Sequence, residues 1–184
     1  MRDVSKATAT TVEMPTTAKR FSVAVLMQRT PLANRWVSER WDPVAVLPVA
    51  ADAVQASAPV RVRDDATCTQ WCFGGHALEL HRSEAEGYHR NLVAPEPKVF
   101  VAWRRHDEPM APPVFPVIVT VSYDEAARMM DGGECVDAVP LPEAVREWMA
   151  PFVTEHYKPE PRRKVRRNDP FADGASRRDR GPRG

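Results

Sequence analysis

Eighteen prolines are spread along the 184 residues, from Pro15 to Pro182, roughly twice the usual 5%. An interior proline removes a helix hydrogen bond and clashes with the preceding turn. A fold that is helical throughout is therefore excluded. Apolar residues make up 43% of the chain, enough to bury a core, so a wholly disordered chain is excluded as well. The length bounds one domain, or one domain plus tails.

From Arg20 onward the pattern is short extended runs between turn residues. Phe21, Val23, Val25 and Met27 alternate with less apolar neighbours and predict a strand ending near Pro31. Arg35 to Leu47 predicts a second, with a bulge or edge at Pro43. Residues 50–58 read as a loop or weak helical turn, and Val60 and Val62 as a short strand. Thr69–Phe73 and Ala77–His81 read as strands separated by a Gly74-Gly75 turn. Tyr88–Val93 and Val99–Arg104 read as neighbouring strands, and the β-branched run Pro116–Val121 as a buried one.

The chain then turns helical. Ser122-Tyr123-Asp124-Glu125 fits a capping box, and Gly132-Gly133 stops the helix that follows. A second helix starts near Pro142 with the stripe Val145, Trp148, Met149, Phe152 and Val153, and Pro151 predicts a kink or break in it. Strands first and helices last predict an α+β domain: a small antiparallel β-barrel or curled sheet followed by two C-terminal helices.

Charge divides the chain. From Lys158 onward ten basic and four acidic residues give +6, so residues 1–157 carry −5 beneath a net +1. The basic segment is rich in Pro and Gly and cannot bury enough surface to order itself. The expected organisation is a flexible tail at 1–19, one domain at 20–157 and a basic disordered tail at 158–184.

No apolar run approaches the length of a membrane span, and residues 1–19 lack the apolar stretch of a secretory signal. Three cysteines, Cys68, Cys72 and Cys135, are too few for a disulfide scaffold. The expectation is a cytoplasmic protein with no membrane contact. Cys68, Cys72, His76 and His81 have metal-like spacing, but strand residues four apart lie about 13 Å from each other. They converge only if Gly74-Gly75 folds the chain back. Neither a nucleophile elbow nor a glycine-rich phosphate loop is present. The reading is no enzyme, no metal and no cofactor.

Two segments remain as candidate partner-binding surfaces. In Asn34–Trp41 charges and aromatics interleave, with Arg35 and Arg40 placed to stack on or bridge around Trp36 and Trp41. In the tail, Arg162, Arg163, Lys164, Arg166 and Arg167 form an anion-attracting run, followed by Phe171.

Several longer stretches carry a resemblance. They include Pro31–Trp36 with Trp41–Val44, Glu84–Tyr88 with Asn91-Leu92, Pro97–Val101 with Trp103-Arg104, Val119–Ala126, Met130–Glu134, His156–Pro161 and Arg167–Phe171. Over most of residues 20–174 the chain resembles an uncharacterised bacterial family encoded beside molybdenum- or tungsten-dependent formate dehydrogenases. The resemblance implies an accessory role in assembly, cofactor insertion or electron-transfer partnership, with a dehydrogenase subunit or its chaperone as partner. The alternative is a nucleic-acid-binding or regulatory protein that works through the basic tail.

Overall fold

The computed structural model describes residues 20–50, 58–107 and 109–159. Strands β1 (Arg20–Pro31), β2 (Glu39–Pro48), β3 (Val60–Asp64) and β4 (Thr69–Glu79) form one antiparallel sheet in the order β2-β1-β4-β3. A 3-10 turn at Arg82–Glu84 leads into helix α1 (Ala85–Leu92). Strands β5 (Lys98–Arg105), β6 (Val114–Thr120) and β7 (Cys135–Pro140) form a second antiparallel sheet, ordered β6-β5-β7. Helix α2 (Tyr123–Asp131) joins β6 to β7, and α3 (Glu143–His156) ends the described chain.

Alternation decides which face each strand buries. Phe21, Val23, Val25 and Met27 are all buried. Val25 lies opposite Val46 on β2 and Phe73 on β4, so one apolar row crosses three strands. The two sheets share one core with α3, whose Val145, Trp148, Met149 and Val153 are buried in it. β2 runs beside β7 and β4 beside β6. No hydrogen-bonded ladder joins the sheets among the described residues. The domain is α+β, with curled sheets that stop short of a closed barrel.

Both sheets present the same end to the helices. Trp148 of α3 packs on Phe21 at the start of β1, with ring centroids 5.0 Å apart. The Tyr88 hydroxyl on α1 accepts the His81 N–H at 3.1 Å, just past β4. One turn later, the Asn91 amide donates to the carbonyls of Lys98 and Val121, at the start of β5 and just past β6. Strands rise about 3.3 Å per residue. The β1–β2, β3–β4 and β5–β6 connections are thereby carried to the opposite end.

Several expectations hold in detail. The β1–β2 register shifts at Leu26/Met27, opposite Pro43 and Ala45, which leaves Val44 as the extra residue beside the proline. Ser122 caps α2, accepting the Glu125 N–H at 3.2 Å. The Glu125 carboxylate takes a different route from the expected one. It accepts from the Thr120 hydroxyl at 2.6 Å, and that oxygen accepts the Ser122 N–H at 3.1 Å.

Other expectations are overturned. Tyr88–Val93 is not a strand: residues 85–92 are helix α1. Its buried Ala85, Tyr88 and Asn91 recur at helical spacing and face the core. Gly74-Gly75 is not a turn. It lies within one continuous β4, where two residues oppose the single Ala24 of β1, a bulge that Gly75 enables at φ 83°. Residues 135–140, left unassigned by the sequence, pair with β5 as β7. Pro151 does not split the last helix, which runs unbroken over fourteen residues. The segment at 51–57 and both tails, 1–19 and 160–184, lie outside the described residues.

Helices α1 and α2 meet through polar groups. The Ser122 hydroxyl donates to Glu84 at 2.7 Å, and Arg128 donates to the same carboxylate at 2.7 Å. A Cβ on Gly87 would sit 2.7 Å from the Ser122 Oγ, so only glycine lets α1 approach this closely. Burial alone would raise the Glu84 carboxyl, but the Ser122 bond and Arg128 together hold it below its usual value. Desolvation pushes the Tyr88 hydroxyl up to about 12.

Half-buried His76 on β4 gives a pH dependence. Burial lowers its pKa below 6.5, so the unfolded chain takes up the proton first as pH falls. Its contribution to stability is present above about pH 6.5 and is lost as pH drops toward the folded value. Urea unfolding at about pH 7.5 and about pH 5.5 should show a lower midpoint at the acid end. The variant His76→Gln should remove that part of the slope. An unchanged slope would place its origin elsewhere.

Candidate functional site

The end of the sheets away from the helices carries the candidate partner surface. Residues 32–38 connect β1 to β2. Two hydrogen bonds shape this loop: Leu32 N–H to the Ser38 carbonyl at 2.9 Å, and Trp36 N–H to the Asn34 side-chain oxygen at 2.8 Å. The second is an Asx turn, which fixes the backbone just before the tryptophan. The Trp36 ring is 81% exposed, and the Arg35 guanidinium lies over it at 4.9 Å from the ring centroid. Val37 beside it is also exposed. An exposed indole under a guanidinium is an adhesive feature: apolar area, a ring face and a planar donor array in one place.

The rest of the sequence-predicted surface divides. Arg40 is exposed but bridges to Asp42 at 2.6 Å. Trp41 is buried in the core, and its indole N–H donates to Glu39 at 2.9 Å. Trp41 therefore holds the base of the hairpin and presents no ring to a partner. The alternation explains this, because Trp41 pairs with Arg29 at a position whose side chain turns inward beside Met27. Arg162, Arg163, Lys164, Arg166, Arg167 and Phe171 lie outside the described residues.

Nearby charges are mostly paired. Arg61 bridges to Asp64 and Arg63 to Asp65, and Arg104 to Glu134. Asp65 accepts from the Thr67 hydroxyl and from Arg63, as well as from the Thr67 and Cys68 amides, and its carboxyl is held far below the usual range. Arg35 and Arg105 have no carboxylate within ion-pair distance among the described residues. Among the described residues, the loop end thus offers two uncompensated cations along with the exposed indole.

The metal-like spacing does not converge. Because β4 is continuous, Cys72 and His76 are strung along it, and no group of three potential metal ligands gathers among the described residues.

The sequence missed a second feature, at the helical end. A cleft of about 490 Å³ lies between the 3-10 turn and the end of α3. Arg82, Ser83 and Glu86 line one side, and His156, Tyr157 and Lys158 the other. The Tyr157 ring stacks on His89 of α1 at 4.0 Å, which fixes the far wall. A second cleft, of about 620 Å³, opens across the same turn, and Arg82 and Ser83 line both. Two segments some seventy residues apart build this feature, so no local motif announces it.

No helix among the described residues is long and apolar enough to cross a membrane. Neither a curated protein nor a solved structure matches the chain. Residues 22–166, from the first strand to the basic run, match the family DUF3305, described as proteins of unknown function, and the chain belongs to that family.

Proposed function

We propose that the protein is a non-enzymatic accessory or assembly factor for a molybdenum- or tungsten-dependent formate dehydrogenase. It works by protein contact, through the hairpin loop that presents Arg35 and Trp36 and through the basic tail. The observation that carries the docking role is Trp36, 81% exposed at the tip of an ordered hairpin. Burying a large aromatic beside an arginine is how a few residues supply most of an interface's binding energy. The resemblance read from the sequence supplies the dehydrogenase or its chaperone as the partner.

The test is affinity purification of the tagged full-length protein from cells expressing the whole operon, with mass spectrometry. The wild type should retain a dehydrogenase subunit or its chaperone. The Trp36→Ala variant should weaken that retention about thirtyfold, with no change in melting temperature, because the ring packs against little of its own fold. Recovery of neither protein would overturn the proposal. So would recovery of nucleic acid alone, released by salt, which is the signature of phosphate contact by the tail.

A further inference from the structure

We propose that the cleft between the 3-10 turn and the end of α3 binds a small phosphate-bearing ligand. Most cations among the described residues already have a carboxylate: Arg20 with Glu79, Arg90 with Glu86 and Asp124, Arg128 with Glu84. Arg82 and Lys158 have none among the described residues, and both line this cleft. Two uncompensated cations facing one concavity raise its potential and attract an anion. The acid that lines the cleft, Glu86, is held by Arg90 at 2.6 Å.

The neighbouring groups suit the same chemistry. The Ser83 hydroxyl and the His156 ring add hydrogen-bonding positions beside the guanidinium and ammonium. The cleft opens beside the first turn of α1, where Ala85 and Glu86 line it. The acid at the N-cap of that helix, Glu84, makes no capping bond, because its carboxylate is turned toward Ser122 and Arg128. The carboxylate in the first turn of that helix is Glu86, which is paired with Arg90. A planar guanidinium next to a point-charge ammonium fits phosphate oxygens better than a single carboxylate. A volume of about 490 Å³ lies in the range of small-molecule sites rather than of an extended polymer groove.

Calorimetric titration of the full-length protein with inorganic pyrophosphate tests the assignment, with a single-stranded oligonucleotide in a parallel arm. Saturable pyrophosphate binding is expected, weakened about tenfold by Arg82→Gln and again by Lys158→Gln. The tail variant Arg166→Gln/Arg167→Gln should bind pyrophosphate as the wild type does. Circular dichroism melts verify that the variants fold, since Arg82 and Lys158 are exposed side chains. Absence of binding overturns the proposal. Binding unchanged by Arg82→Gln but lost in the tail variant also overturns it, and tighter oligonucleotide binding with that same dependence points to a polymer on the tail.

Discussion

Replacing Asn91 with alanine is expected to cost about 3–5 kcal/mol of stability. The side chain is fully buried and makes three bonds to backbone groups. Its amide donates to the Lys98 and Val121 carbonyls at 2.7 and 2.8 Å, and its oxygen accepts the Lys98 N–H at 2.8 Å. Lys98 opens β5 opposite Pro140 of β7, and Val121 lies just past β6. Alanine would strand three backbone partners, the buried Val121 carbonyl and the part-buried Lys98 N–H and carbonyl, each worth about 1–3 kcal/mol when left unpaired in the interior. The melting temperature should fall by about 10 °C or more. Asn91→Asp should fare no better, because a carboxylate cannot donate to two carbonyls. Urea unfolding followed by far-UV circular dichroism measures the loss. A cost under about 1 kcal/mol would mean that water replaces these bonds and that α1 does not pin the second sheet.

The second large effect separates two tryptophans that look alike in the sequence. Trp41→Ala should destabilise the fold by about 3–5 kcal/mol, since its ring fills the core where β1 and β2 meet. Trp36→Ala should change stability by no more than about 0.5 kcal/mol, since that ring is exposed. Trp41→Phe should recover most of the loss by restoring volume, short of the hydrogen bond to Glu39. Any partner lost with Trp41→Ala is then lost through unfolding, and any lost with Trp36→Ala through the surface. Equal stability losses in the two variants would contradict the placement of both rings.

The strands were legible because their side chains are chosen by burial. Alternation at Phe21–Met27 and the β-branched run ending at Val121 leave few other readings. Local chemistry was legible where one residue dictates geometry, as with Pro43 at the bulge and Ser122 at the cap. Helix α1 was not, because Tyr88 and Val93 carry β propensity. Tertiary contacts, the Asn91 bonds above all, make that segment helical. The strand β7 was obscured by Asp137, whose carboxylate accepts from the distant Trp103 indole at 2.7 Å. In the candidate surface, Arg35 and Trp36 followed from interleaved charge and aromatics. The inward turn of Trp41 needed the register, and the cleft at Arg82 and Lys158 needed the helix that the sequence concealed.

Docking through the Trp36 hairpin is the step on which the proposed function rests. The most direct measurement is biolayer interferometry between the purified full-length protein and purified formate dehydrogenase, with wild type and Trp36→Ala side by side. Saturable binding by the wild type is expected, with about thirtyfold weaker binding by the variant at unchanged melting temperature. Equal affinity of the two proteins, or no binding by either, would contradict it.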